Sequence, residues 1–477
     1  MLKPIKTILN TAILTLISSQ AAQAGAFSLY TEGSAAAIGN FAAGIAAEGA
    51  DASIGWYNPA GLILIKEQQA VVGGVGVFPS VKLTGSSAYN SVLSGLPLPT
   101  YTQTFSGLQG GKEGFVPSLH YALPLGERAV FGLSVVAPFG LSTDYGLDSP
   151  VRYAATLTKL ETINVSPELG GKLTDFLSIG AGLDLQYAKV KFNSIVGNPP
   201  SASYVYPGSS PTLFDSQSQN SGDSFGIGFH AGLMLLMNDN HSRIGLNYQS
   251  RMQHEFDGSS KLTGLLANPA LNFIENADEI SANASYSSNN LFTNEIDLPD
   301  IVTLSGYHEI NERWSLLGSA VYFGWSSFKS ITLNNVAVGA RNPITNNVIL
   351  TTTNTTITEN YKNTWRFAIG ANYHVNDQWM MRFGGGCDET PTVDSERDVR
   401  LPDVNRWALS VGAHYQMRPT LGFDAGYTYL FANGDSQINK TNVLGTSTNT
   451  INAIGKNKAQ LVGLQVLWKM DQPSVGK

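Results

Sequence analysis

The sequence predicts an all-β protein, a fourteen-stranded antiparallel β-barrel that spans a membrane. Three observations carry this. Apolar and polar residues alternate with a period of two through most of the chain, the pattern of strands with two unlike faces. Charged residues make up only 14% of the chain, against about 25% in soluble domains, while aromatics reach 10%. Connections of two kinds, short and long, separate the alternating runs. The charge deficit means that much of the surface does not face water. A mean hydropathy near zero suits residues that alternate between lipid and a polar lumen.

Residues 1–24 read as an export signal. Lys3 and Lys6 form a positive start, Ile8 to Ile17 a short apolar core, and Ala22-Gln23-Ala24 a small-x-small cleavage site. The core is too short for a bilayer, which needs about 20 apolar residues, and no later segment approaches that length without charge, Gly or Pro. A membrane protein built from this chain is therefore not helical. The mature chain would begin at Gly25. Residues 51–62, DASIGWYNPAGL, fit neither a strand nor a helix: Asn58-Pro59 favours a turn and Gly61 allows tight curvature. Taken alone, the stretch is either a loop into the first strand or a segment folded elsewhere.

Strands are expected near 68–84, 114–124, 129–146, 156–173, 176–192, 223–237, 243–257, 291–309, 313–332, 359–375, 379–389, 403–417, 420–434 and 457–470. In the twelfth, Trp407, Leu409 and Val411 share one parity and Arg406, Ser410 and Gly412 the other. A soluble sandwich would alternate too. Aromatics at the ends of the apolar parity, Trp365 with Tyr373 and Trp407 with Tyr415, instead suit girdles at two membrane interfaces. Tight polar turns at 125–128, 173–175, 238–242, 310–313, 375–378 and 418–419 alternate with long loops at 85–112, 193–222, 258–290, 333–357 and 435–455. That asymmetry suits periplasmic and extracellular ends, and an even strand number closes the barrel with both termini on one side.

Other functions find little support. The single cysteine, Cys387, excludes an internal disulfide and a cysteine-based metal site. Net charge is −7 with no Lys/Arg-rich run, so nucleic-acid binding lacks an electrostatic basis. Gly222-Asp223-Ser224-Phe225 opens a strand rather than a helix, and no G-x-S-x-G, H-E-x-x-H or P-loop occurs. The chain reads as a non-enzyme without cofactor or metal.

Several ordered stretches resemble the FadL/TodX family of outer-membrane transporters for long-chain fatty acids and other hydrophobic compounds. They are the start Gly25-Ala26-Phe27, Asn58-Pro59-Ala60, VPSLHYALPL at 116–125, APFGLSTDYG at 137–146, LETINVSPELGGKL at 160–173, NYQSR at 247–251, LPD at 298–300, YFGWSSF at 322–328, YKNTWRFAIG at 361–370, and DETPTV at 388–393 followed by RLPDVNRWALSVG. The resemblance implies a fourteen-stranded barrel over 67–470 plugged by a hatch at 25–66. It also implies release of substrate through a gap in the wall. Residues 471–477 would form a tail, a departure from barrels that end on an aromatic, since here KMDQPSVGK follows Trp468. The resemblance assigns Phe27, Asn58, Pro59 and Ala60 to the hatch and implies a monomer in a Gram-negative outer membrane, in contact with lipid and lipopolysaccharide.

Pro138 sits inside the third strand, where a residue without N–H forces an opening or bulge. A lateral opening is therefore expected at Pro138, Phe139 and Gly140, in keeping with the family's kinked third strand; the alternative is a strand that ends before Pro138. A fatty acid needs an apolar channel and a cation for its carboxylate. Arg366 and Arg406 fall on the lumen parity and are the leading head-group candidates, although either could instead be a wall charge paired with an acidic residue such as Asp403 or Asp424. Lys189 and Lys191 are a second option despite sharing parity with outward residues, and they could equally meet lipopolysaccharide phosphates. Apolar residues in 83–112 and 261–275 suggest a docking groove for ligand, or mutual packing of the two loops. The expected activity is passive uptake of a long-chain fatty acid or similar hydrophobic molecule. The rivals are an aromatic-hydrocarbon channel and a general small-solute porin.

Overall fold

The structure is a computed structural model that describes residues 27–93 and 95–470. The export signal, Gly25, Ala26 and the tail 471–477 lie outside the described residues. Fourteen strands form the wall: β1 (Gln69–Asn90), β2 (Gly114–Pro124), β3 (Ala129–Val136 and Gly140–Asp144), β4 (Leu157–Lys172), β5 (Leu177–Val196), β6 (Ser216–Met237), β7 (Ser242–Gln249, Met252–His254 and Asp257–Gly264), β8 (Ser285–Thr293, Ile296–Leu298 and Ile301–Glu309), β9 (Trp314–Phe323), β10 (Thr364–His374), β11 (Trp379–Asp388), β12 (Arg406–Arg418), β13 (Leu421–Ala432) and β14 (Ser447–Lys469). Each pairs antiparallel with its neighbour. The first and last strands close the ring from Gln69↔Lys469 to Asn90↔Thr448.

The alternation sorts as lipid demands. Phe225, Ile227 and Phe229 on β6 point outward, as do Phe367 and Ile369 on β10, while their neighbours in sequence face the lumen. Aromatic pairs mark both ends of this apolar belt. Tyr322 meets Trp365 at one end, and Trp314–Tyr373 and Trp379–Tyr415 meet at the other, with ring centroids 4.6 and 4.5 Å apart. Short turns close the latter end. At Asn238, Asp239 and Asn240 they use positive φ, which Asn and Asp tolerate.

The long connections differ from the expectation of irregular loops. β1 pairs beyond residue 83 with Tyr101–Gln109, Ser330–Arg341 pairs with Val348–Thr358, and Ser436–Leu444 pairs with the outer half of β14. These hairpins are rich in Ser, Thr and Asn on both faces, so they carry backbone pairing without the apolar parity that marks a membrane strand.

Residues 27–66 run through the lumen. Their short helical turns are Thr31–Gly33, Ala36–Asn40, Ile54–Tyr57 and Pro59–Leu64. DASIGWYNPAGL is thus locally helical, in turns too short to leave a sequence period. Lumen-facing side chains hold its backbone. Gln249 on β7 donates to the Trp56 carbonyl at 3.0 Å, Ser178 on β5 to Ala60 at 2.9 Å, and Thr428 on β13 to Ile38 at 2.6 Å. Contact is close: a Cβ on Gly180 of β5 would fall 2.3 Å from the Pro59 carbonyl carbon.

Candidate functional site

β3 stops at Val136 and resumes at Gly140. Because Pro138 has no N–H to offer, pairing with β2 covers only Leu119↔Val135 to Pro124↔Val130, while the β2 residues Gly114–Ser118 pair with β1 alone. The two sides meet again at Gly111 and Thr143. A gap in the wall ladder is therefore bounded by 114–118 and 137–140. Two partners satisfy its free backbone groups. Thr162 on β4 accepts from the Phe139 amide and donates to its carbonyl. The first described residues of the plug supply the rest: Leu29 N–H donates to Pro138 at 2.8 Å and Gly140 N–H to Phe27 at 2.7 Å. The interruption falls on Pro138, Phe139 and Gly140, and β3 continues past it along β4 from Gly140↔Glu161.

Beside this gap lies a narrow apolar cavity of about 50 Å³. Leu160, Val190, Phe192, Phe256, Leu298 and Ile331 line it, and Phe27 forms part of its wall. The Phe27 ring makes edge contacts with Trp325 at 4.6 Å and Phe328 at 5.6 Å. Arg400, Glu359 and Lys159 bring charge to the lining, Lys159 being paired with Glu161 at 2.7 Å. Arg400 is half-buried, donates to Thr158 at 2.8 Å and to the Ala154 carbonyl at 2.6 Å, and makes no ion pair among the described residues. Asp398 accepts from the Arg400 backbone amide at 2.8 Å, and the charges of Asp398 and Glu359 reach the guanidinium from longer range. Burial holds the Glu359 carboxyl well above the usual carboxylate range, reinforced by the charge of Asp398.

Arg366, on β10, is buried with its guanidinium 3.8 Å from the Phe41 ring centroid, and it donates to the Phe41 carbonyl at 3.1 Å. It faces a second, polar chamber of about 20 Å³ that includes Trp325 and Ser28 in its walls. Arg406, on β12, is paired with Asp388 at 3.3 Å and Asp403 at 3.2 Å. Asp424, the other expected partner, is engaged by Arg382 and His414 instead. Lys189 and Lys191 lie on the outward parity of β5, between the inward Val190 and Phe192, and do not line the cavity. Asn58 Nδ2 donates to Ala46 at 2.8 Å and Leu233 at 3.0 Å, its Oδ1 accepts from the Ala60 amide, and Pro59 begins the next turn.

The loop stretches 83–112 and 261–275 do not pack on each other. Leu262, Leu265 and Leu271 join Phe214 and Ala337, whereas Phe105 and Leu108 join Tyr145 and Val151. Arg400 escaped the sequence reading because it stands in a loop, where parity assigns no direction. The signal that could have found it is its place in RLPDVNRW, six residues before Arg406.

A family model described as outer membrane protein transport protein (OMPP1/FadL/TodX) matches residues 14–469. A long-chain fatty acid transport protein of Escherichia coli O6:H1 is 27% identical over 436 residues, covering 89% of this chain and 90% of that protein. Outer membrane protein P1 of Haemophilus influenzae is 25% identical over 450 residues, covering 89% of each. Among solved structures, a FadL homologue from Pseudomonas aeruginosa is 26% identical with a TM-score of 0.75, covering 94% of this chain and all of that one. The monoaromatic hydrocarbon channel CymD, at 17% identity and a TM-score of 0.58, shares the fold. With a closed fourteen-stranded wall, an occupied lumen and a match that runs nearly end to end, this chain belongs to the OMPP1/FadL/TodX family of outer membrane transport proteins.

Proposed function

We propose that the protein takes up long-chain fatty acids passively across the outer membrane, holding the tail in the apolar cavity and the carboxylate at Arg400. The observation that carries this reading is a guanidinium without an ion-pair partner in a largely apolar cavity. A carboxylate supplies the missing charge, and such charge-assisted contacts are short and strong. Residues 25–66 act as a hatch. The ligand displaces Phe27, the segment 27–29 releases Pro138 and Gly140, and the acid leaves sideways into the bilayer. Lateral exit is favoured because an apolar tail gains about 0.8 kcal/mol per CH₂ on leaving water and would lose this again in the periplasm. Arg366 and Arg406 stand deeper and act after capture. The protein works as a monomer without catalysis, its apolar belt in lipid and Lys189 and Lys191 on its outer face toward lipopolysaccharide phosphates.

The test is binding and uptake of labelled oleate and toluene in a host lacking its own transporter, with wild type and Arg400→Gln. Oleate affinity should fall about tenfold or more in the variant while toluene uptake holds, since a charged hydrogen bond contributes roughly 1.5–3 kcal/mol. Toluene uptake without oleate uptake by wild type would assign the cavity to aromatic hydrocarbons.

A further inference from the structure

The polar chamber around Arg366 is separate from the apolar cavity, and the Phe27–Trp325 contact stands between them. Its hydrogen-bonding groups are incompletely used. Glu32 is only 1% exposed, and its Oε1 has no hydrogen-bond partner. The Ser28 hydroxyl is buried and likewise unpartnered, and Arg366 makes no ion pair among the described residues. The other carboxylates there are engaged: Asp388 with Arg406, and Glu389 with the Trp365 amide. Ser28 also sits opposite Phe139 at the wall gap, so the chamber adjoins the lateral opening.

Resting on the fatty-acid reading above, we infer that this chamber is a second station for the ligand's carboxyl group, where Arg366, Ser28 and Glu32 receive it in neutral form before the acid enters the bilayer. The chemistry follows from the groups present. Arg366 and Ser28 donate, and Glu32 accepts. A neutral carboxyl offers the complement, a carbonyl oxygen to accept and an O–H to donate. Two ionised carboxylates side by side would repel, so the pair holds one proton between them. The step balances as one proton passing from the Glu32 carboxylic acid to the incoming carboxylate, leaving Glu32 ionised beside Arg366 until water returns the proton. Neutralisation at this point has a physical reason, because an ionised carboxylate enters hydrocarbon only at great cost. Arg400 therefore captures the anion, and the Glu32 station discharges it.

The test separates capture from release. Equilibrium oleate binding and initial oleate uptake are measured for wild type, Glu32→Gln, Glu32→Asp, Ser28→Ala and Arg400→Gln, with barrel assembly checked by heat-modifiable gel migration. Glu32→Gln should slow uptake about tenfold while affinity stays within about threefold, Glu32→Asp should recover part of the rate, and Arg400→Gln should lose affinity. Should Glu32→Gln not assemble, Ser28→Ala carries the same comparison with a smaller loss of rate. Wild-type uptake in both Glu32→Gln and Ser28→Ala, or affinity losses matching that of Arg400→Gln, would overturn the second station. Absence of oleate binding by the wild type would instead sink the fatty-acid reading itself.

Discussion

Gly140 donates its backbone N–H to the carbonyl of Phe27 across 2.7 Å, so a residue that walls the apolar cavity is also tied to the interrupted strand. With Leu29 bonded to Pro138, residues 28 and 139 form a non-hydrogen-bonded antiparallel pair, whose Cα atoms stand about 4.5 Å apart. That spacing accepts a disulfide. In a Cys387→Ser background, Ser28→Cys with Phe139→Cys should stop oleate uptake when oxidised and restore it on reduction. Uptake that is indifferent to oxidation, with the bond verified by mass spectrometry, would remove this segment from the exit route.

Asn58 satisfies three backbone groups of the plug and wall at once. Asn58→Ala leaves two buried carbonyls and one amide without it, a loss on the order of 2–4 kcal/mol from roughly 1 kcal/mol or more per group. Plug residues should become accessible to added protease, and planar-bilayer conductance should rise. A variant as resistant and as silent as wild type would show that the plug does not depend on this side chain.

Two mid-strand glycines provide a steric comparison. A methyl on Gly180 would meet the backbone of Pro59 and Ala60 at 2.3 and 2.4 Å, whereas nothing lies within 4 Å of one on Gly306. Gly180→Ala should lower resistance to urea or shift the plug, at about 1–3 kcal/mol for overpacking against immobile backbone. Gly306→Ala should be silent in the same unfolding assay.

Glu359 gives the cavity a pH dependence of defined sign. Its carboxyl binds protons more tightly in the folded protein than in the unfolded chain. The folded state therefore loses stability as pH rises from the ordinary carboxylate value through the raised one, and ionised Glu359 also opposes an anionic ligand. Oleate affinity should decline toward alkaline pH in wild type and vary less in Glu359→Gln. Equal pH profiles for the two proteins would exclude this role.

The wall was legible in the sequence because lipid imposes a strict rule. Every second residue from Trp365 to Ile369 must be apolar, and the aromatic ends at Tyr373 and Tyr415 announce the interface. The Arg406–Asp403 pair was legible only as nearness in sequence, since Asp403 stands in the irregular segment just before β12, where parity assigns no direction. Where no second phase constrains the chain, the signal fades. The hairpin with TTTNTTIT at 351–358 is wetted on both faces, so it reads as loop although its backbone pairs regularly. The turns at Ile54–Tyr57 and Pro59–Leu64 are shorter than two helical periods. Arg400 points into the cavity from a loop, and no periodicity records the direction of a loop side chain.

On the proposed lateral route, the lacing of residues 27–29 to Pro138 and Gly140 would set a minimum molecular length for cargo. Freeing it breaks two backbone hydrogen bonds and unseats one phenylalanine, roughly 3–6 kcal/mol together. Only interactions that favour the open state can supply that energy. At about 0.8 kcal/mol per methylene, some four to eight carbons of tail are needed before an occupant can release the strand. Butyrate should therefore leave the wall shut however much of it is present, and the onset of uptake along a series of saturated acids would measure the strength of the closure directly.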